Sequence, residues 1–496
     1  MRNIWNIGMF SLSLPQDYTN KRMKLINGFL IGGCLVLAGL ALQLCVGPVV
    51  WEAFAWPANG IVLAGFIAIL TGMVYLRKKI YAFRWMTTYT AAIPAMVYAV
   101  ALTIIMGLTR QQAGGTWLNN MLSFWPFVLI YVYITVILGL VIHRRLRKIF
   151  RGQGSMLHDI PFMLNHLGLF VALTTATLGN ADMQRVKMIC GVGEPEWQAV
   201  APDGLVKRMP FTIELKKFIM ETYDDGKPRR FASEIQILTE SGKNIEAVVD
   251  VNKPYEVEGW KIYQYGYDTT MGADSQITIL ELVSDPWLPA VYTGFFLMLT
   301  GTLFLLAYTR WSYKRLLPIG ILVVVALALV SYFMPVIRSK ELVPALQSPW
   351  FTPHILVYIV CYSLMGVAAV MALMKLIGGR WWRIGNTLRL EVIDSLVYVG
   401  LIFMTFGMLF GALWAKEAWG HYWSWDPKET WAAITWLSFL VYVHYRLMPK
   451  AKSQEPNANR LALWMLIISF VLLQMCWWGI NFLPSAQGAS VHTYNM

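Results

Sequence analysis

Residues 414–431 read WAKEAWGHYWSWDPKETW and lie between two long apolar runs. These eighteen residues, here called the Trp-rich segment, are predicted to form a loop. They also hold a tyrosine and a histidine beside five tryptophans: Trp414, Trp419, Trp423, Trp425 and Trp431. Tryptophan and tyrosine favour membrane–water interfaces, but anchoring a helix end requires only a few of them. The segment therefore predicts a flat aromatic platform for a large planar ligand.

The composition predicts an α-helical polytopic membrane protein. The chain is 57% hydrophobic and 14% charged over 496 residues. Several apolar runs reach the roughly 20 residues that span a bilayer as a helix. About eleven transmembrane helices are predicted, at residues 25–48, 58–76, 87–108, 124–142, 161–180, 287–309, 317–336, 353–375, 394–413, 430–448 and 461–479.

Charge patterning predicts the orientation of these spans. The net charge is +13, and basic clusters such as Arg77-Lys78-Lys79 and Arg144 to Lys148 fall in alternate loops. Because basic residues collect in cytoplasmic loops, we expect the N-terminus in the cytoplasm and the C-terminus and Trp-rich segment outside. Such charge marks topology and contact with membrane lipid. No stretch of the sequence interleaves basic and aromatic residues, so the charge does not indicate binding to nucleic acid.

The long polar stretch 181–286 predicts a small external β-rich domain. Apolar and polar residues alternate at 234–238, 245–250, 261–265 and 276–280, with turn residues at 241–244. Alternation of period two between turn signals is typical of strands with one buried face. About 100 residues suffice for such a unit to fold.

The Trp-rich segment resembles a known signature. The order Trp-Gly-x-Tyr-Trp-Ser-Trp-Asp-Pro-Lys-Glu-Thr-Trp is similar to the WWD domain of haem-handling membrane proteins of cytochrome c maturation, the CcsA/CcmF/CcmC superfamily. Residues 310–496 resemble CcsA, and the earlier part resembles ResB through 165–170 and 179–185. The chain thus resembles a fused ResB–CcsA, the system II cytochrome c synthase. That resemblance implies ResB-like helices (1–180), an external, periplasmic β domain (181–286), a linking helix (287–309) and a CcsA-like domain (310–496).

The histidines separate by predicted depth. His354 opens a span at its outer end, His492 lies in the external tail, and His421 lies in the Trp-rich segment. His444 falls about 14 residues into its span, hence about 20 Å down at 1.5 Å per residue. His166 lies about five residues into a span that starts on the cytoplasmic side, so both reach similar inner-leaflet depth. Polar groups inside a bilayer are costly and usually functional, and neutral imidazole is an ordinary axial haem ligand.

The resemblance assigns roles to these histidines. It implies that His354 and His492 ligate haem iron on either side of the Trp-rich segment, and that they serve the reaction there. It also implies an inner pair, for which His444 matches by position and His166 is the first-half candidate, with His143 as the alternative. His421 is either a third ligand or a polar neighbour of the haem edge.

Asp426 has a local explanation as well as a proposed role at the haem. Asp426 as N-cap, Pro427 at N1 and Glu429 at N3 predict a capping box that starts the next span. Because the cap fixes where the segment ends, we also expect Asp426 to shape the haem-binding surface formed by the tryptophans. Three outer-surface cations, Lys416, Lys428 and Arg338, are further candidates for pairing with haem propionates.

The function implied by the resemblance is cytochrome c synthase, a haem lyase that forms thioethers. Haem b, the transported substrate, would move outward and join the C-x-x-C-H thiols of apocytochrome c. The five cysteines form no C-x-x-C, so a thioredoxin-like thiol-reducing partner is expected. Alternatives are a haem transporter or chaperone that serves a separate ligation enzyme, and a bis-His membrane electron carrier. The implied location is the bacterial inner membrane.

Overall fold

The computed structural model describes residues 24–112, 114–115, 117–154, 156–308, 342–378, 388–452 and 455–486. Its helices are α1 (Leu25–Val46), α2 (Ala58–Leu76), α3 (Tyr81–Trp85), α4 (Tyr89–Leu108), α5 (Trp125–Phe150), α6 (Met156–Gly179), α7 (Leu288–Tyr308), α8 (Phe351–Ile377), α9 (Leu390–Trp419), α10 (Pro427–Arg446), α11 (Pro449–Lys452) and α12 (Pro456–Trp477). Its strands are β1 (Gln184–Gly191), β2 (Pro195–Val200), β3 (Val206–Thr222), β4 (Pro228–Thr239), β5 (Asn244–Asp250), β6 (Tyr255–Val257), β7 (Trp260–Tyr267) and β8 (Ile277–Ser284).

The helices confirm the predicted fold class of a polytopic membrane protein. Within the described ranges, nine helices are long and apolar enough to cross a membrane, and each coincides with a predicted span. A tenth predicted span, 430–448, corresponds to α10, which is more polar because it carries Lys428, Glu429 and Arg446. The predicted span 317–336 lies outside the described residues.

The central β-rich region forms one eight-stranded sheet, as the alternation predicted. The strand order is β5-β4-β3-β2-β1-β8-β7-β6, and neighbouring strands run antiparallel. Alternate residues such as Met188, Ile213 and Leu280 are fully buried and form its core. The first and last strands pair directly, Gln184 opposite Ser284, so the chain leaves the sheet beside the point where it arrived.

That strand pairing brings together α6 and α7, which lead into and out of the sheet. The two helices approach closely because glycines face each other: a side chain on Gly168 would lie 2.7 Å from the Gly294 carbonyl oxygen. Small residues at helix contacts allow this approach in membranes. Asn165 adds a polar link, since the Thr302 hydroxyl donates to its side-chain oxygen at 2.9 Å. The neighbouring residue His166 therefore sits on a firmly packed helix.

Asp182 ties the start of the sheet to the helices. Its carboxylate accepts hydrogen bonds from the Trp56 backbone N–H at 2.7 Å, from Asn59 at 2.7 Å and from the Trp287 indole at 2.6 Å. These donors come from the α2 region and from the residue just before α7. The motif that resembled ResB at 179–185 thus contains a structural junction.

The sheet also packs against the end of the helices that carries the Trp-rich segment. Tyr223 donates to the Leu342 carbonyl at 3.0 Å, and Asn252 donates to the Pro344 carbonyl at 2.8 Å. Lys416 of α9 pairs with Asp285, just after β8, at 3.2 Å, and both side chains are buried. We call this the sheet end of the helices, and the opposite one the basic end.

Candidate functional site

The Trp-rich segment is mostly helical, which corrects its prediction as a loop. Helix α9 runs to Trp419 instead of ending near 413, because Ala415 to Ala418 are strong helix formers. Gly420 then ends the helix in the left-handed region, at φ 77°. The predicted capping box at Asp426 is confirmed, with the carboxylate accepting from the Glu429 N–H at 2.7 Å. The connection between helices is therefore only residues 420–426.

The tryptophans do not form one flat platform, because they lie on two helix ends and on the turn between them. Trp414 is 4% exposed and its indole donates to the Ala345 carbonyl, with Trp419 at 5.3 Å between ring centroids. Trp423 and Trp425 stand perpendicular to each other, at 84° and 5.7 Å. Trp431 is buried in α10 against Ile434 and Cys476. The rings thus divide into separate groups.

His354 occupies a notch in α9 next to the first group. Its ring lies 5.7 Å from the Trp414 ring between centroids, and its Nδ1 lies 2.8 Å from the Gly407 carbonyl oxygen. A carbonyl only accepts, so Nδ1 carries the proton and the lone pair of the neutral ring is on Nε2. Gly411 makes the notch, since a Cβ there would lie 2.8 Å from His354 Cε1.

A cavity of about 2370 Å³ runs through the helices between the sheet end and the basic end. Tyr422, Trp423 and Trp425 line it at the sheet end. Arg77 and Arg147 line it at the basic end. The volume exceeds the roughly 300–1,000 Å³ of ordinary ligand pockets, so a macrocycle and a path for its movement both fit. Helices from both halves of the chain supply the walls.

The same cavity contains both predicted inner histidines. His166 from α6 and His444 from α10 line it, one from each half of the chain. Nδ1 of His166 lies 2.9 Å from the Phe162 carbonyl and Nδ1 of His444 lies 2.8 Å from the Leu440 carbonyl. As at His354, these bonds place the proton on Nδ1 and the lone pair on Nε2, a nitrogen that can bind a metal.

Other predicted residues do not line the cavity. His143 and His421 are not lining residues, and His421 is 6% exposed. Lys416, a predicted propionate partner, is instead 3% exposed and paired with Asp285, because the sheet covers it. His492 and Arg338 lie outside the described residues.

Sequence reasoning missed a polar network beside His444. Asp394 accepts two hydrogen bonds from Arg446, at 2.8 and 2.7 Å, and one from Tyr442 at 2.7 Å. Arg446 also donates to Asn459 at 3.0 Å. The signal was a carboxylate, Asp394, inside an apolar run, because a charge there requires a partner.

These observations define a class: a polytopic membrane protein whose two helical halves enclose a histidine-lined cavity beneath a β-sheet domain. Comparison with known families finds a match for each half of the chain. Residues 287–486 match the family described as cytochrome C assembly protein, and residues 155–276 match the ResB-like family. The chain therefore joins a ResB-like region and a cytochrome c assembly region, which fits a fused ResB–CcsA protein.

Individual proteins similar to the C-terminal part of the chain support the same family match. Cytochrome c biogenesis protein CcsA of Guillardia theta is 29% identical over an alignment of 269 residues that covers 47% of this chain and 86% of that protein. CcsA of Chlamydomonas reinhardtii is 36% identical over 32% of this chain and 44% of that protein. CcsA of Parasynechococcus marenigrum is 34% identical over 34% of this chain and 63% of its own length. The chain thus spans less than two thirds of the latter two proteins.

Proposed function

We propose that this protein matures cytochrome c: it accepts haem b at the cytoplasmic side of the bacterial inner membrane and attaches it covalently to apocytochrome c outside. The observation that supports this most is the single cavity, which joins the inner histidine pair to Trp423 and Trp425. The similarity to CcsA, a cytochrome c biogenesis protein by name, supports the same reaction. In this orientation the basic end faces the cytoplasm, as positive charge does.

Haem first binds between His166 and His444. Each ring presents an unprotonated Nε2, and two such nitrogens from opposite halves of the chain suit the two axial positions of one iron. Their backbone carbonyl partners fix both ring orientations before haem arrives, which lowers the cost of binding.

The outer site uses His354 and His492 as axial ligands beside the tryptophans. His354 is held by Gly407, and Trp414 packs against it. The turn of residues 420–426, fixed by the Asp426 cap, positions Trp423 and Trp425 over the cavity. The Trp423 indole N–H has no hydrogen-bond partner within the described part of the chain, so it is available to a ligand.

The chemical step adds each cysteine S–H of the C-x-x-C-H motif across one haem vinyl group. A C–S bond forms, the proton goes to the other vinyl carbon, and no net oxidation occurs. The protein contributes positioning and proximity to this step.

The cysteines must arrive reduced, which calls for a thioredoxin-like partner. Cys190 of the sheet cannot do this work, because burial and the nearby charge of Glu196 raise the pKa of its thiol to about 12. A thiol that remains protonated is a poor reductant of disulfides.

A reporter cytochrome in cells lacking their own maturation system tests the proposal. We expect wild-type protein to yield covalent haem on a C-x-x-C-H reporter, and His354→Ala or His492→Ala to lose it while the protein still inserts. Haem that copurifies with the protein beside a bare reporter would refute the synthase function and leave a carrier.

Gly411→Ala should weaken haem binding at His354 without unfolding the protein. The added Cβ forces the His354 ring from its notch and breaks its bond to Gly407, so outer haem occupancy should fall about tenfold, the value of roughly one hydrogen bond. Haem absorbance per purified protein measures this. The matched control is Gly366→Ala, where the nearest neighbour, Phe470, lies at 3.7 Å. Equal loss in both variants would contradict the role of the notch.

A further inference from the structure

The cavity carries an excess of positive charge at its basic end. Among the described residues, nine basic side chains line it, but only two carboxylates do. Two of the nine are already paired: Arg145 with Asp159 at 2.5 Å, and Arg446 with Asp394 at 2.7 Å. The positive-inside rule explains basic residues in loops, but it does not require them to face a cavity.

Part of this positive charge has no carboxylate partner. It belongs to three arginines, here called the arginine cluster: Arg77, Arg147 and Arg151. They lie at the ends of α2 and α5, line the cavity, and take part in no ion pair among the described residues. Burial, followed by the charges of Arg147 and Arg151, lowers the pKa of Arg77. Three guanidiniums at close range repel each other, so a bound anion would relieve both repulsion and desolvation.

Aromatic rings connect this end of the cavity to the inner histidines. The guanidinium carbon of Arg145 lies 4.8 Å from the Phe162 ring centroid, and that ring stacks on His166 with centroids 3.9 Å apart. On the other wall, Tyr89 meets the His444 ring edge-on at 6.1 Å. Arg145, which is paired with Asp159 and is not part of the arginine cluster, therefore lies one side chain from His166, and the cluster lines the same cavity as both histidines.

We propose that the arginine cluster binds the two propionate carboxylates of haem held between His166 and His444. This rests on the proposed function. Guanidinium matches carboxylate in planar, bidentate geometry, and such pairs are the stronger kind of hydrogen bond. Haem then sits with its propionate edge toward the basic end. Its vinyl groups, on the other half of the ring, point toward Trp423 and Trp425, where the cysteines arrive.

Titration with haem and with its dimethyl ester tests this orientation, because the ester lacks the carboxylate charges. The purified protein carries His354→Ala and His492→Ala, so the low-spin Soret band reports the inner site alone. We expect the free acid to bind about tenfold tighter than the ester, as one charge-assisted pair provides. Arg77→Gln with Arg147→Gln should remove that preference and leave ester binding unchanged. Lys78→Gln, an exposed neighbour outside the cavity, is the control.

Two results would overturn the inference. Equal affinity for acid and ester with the cluster intact would mean that the arginines bind something else, such as a lipid phosphate. A fall in acid and ester affinity alike in the glutamine variant would indicate a structural role. Neither result would contradict haem binding between His166 and His444. A protein that gives no low-spin band with either porphyrin would instead refute the proposed haem site itself.

Discussion

Replacing His166 or His444 by alanine is expected to abolish the low-spin, six-coordinate spectrum of haem in the inner site. Each variant removes one of the two proposed axial nitrogens, whose side chains line the same cavity, and the other side chain cannot fill both positions. Haem should fall below detection in purified protein whose outer ligands are also removed, and reporter maturation should fall by at least tenfold. Absorbance and pyridine haemochrome content of the purified variants measure the first effect.

The control for this prediction is His143→Ala. His143 was the alternative first-half ligand by sequence, but it is not a lining residue of the cavity. Its loss should leave the inner spectrum intact. A spectrum that survives His166→Ala and disappears with His143→Ala would reverse the assignment and show that the helices move substantially when haem binds.

Among the proposed substitutions, Asp394→Ala is expected to lower the free energy of unfolding the most. It leaves the Arg446 guanidinium, 7% exposed, without its carboxylate, and it removes the acceptor of the Tyr442 hydroxyl. Breaking a buried ion pair from one side costs about 3–5 kcal/mol, because the remaining charge stays desolvated. His444 lies two residues before Arg446 on α10, so haem binding should weaken as well. Thermal unfolding of the detergent-solubilised protein measures the change.

Asp225→Ala provides a matched loss of an ion pair. The Asp225–Lys227 pair has side chains 35% and 65% exposed, in a turn of the sheet domain. Solvent already screens such a pair, so its removal should leave the melting temperature nearly unchanged. If Asp225→Ala and Asp394→Ala lowered the melting temperature equally, the network at Asp394 would have no special importance.

Sequence predicted the helices and the sheet well because both depend on local pattern. Runs of apolar residues long enough to span a bilayer correctly predicted nine helices within the described residues, and period-two alternation predicted strands such as β4 and β5. The Asp426 cap was also readable, since its partners lie within three residues. These features depend on neighbours in the chain.

The cavity and the true arrangement of the tryptophans could not be read in this way. Hydropathy falls after residue 413, but the helix formers Ala415 to Ala418 continue α9. Trp414 and Trp419 are therefore helical, whereas Trp423 lies on the turn that follows. The burial of Lys416 depends on Asp285, far away in sequence. Packing between the halves, which also selects His166 over His143 as a lining residue, is a tertiary property that local pattern does not encode.

Incubating purified protein, loaded with reduced haem, with a C-x-x-C-H peptide and measuring the peptide's mass tests the central claim most directly. The proposal predicts a peptide heavier by one haem, joined by two thioethers, and no such product when both cysteines are replaced by serine. A peptide of unchanged mass, with haem still bound to the protein or released from it, would contradict the synthase and leave a haem carrier.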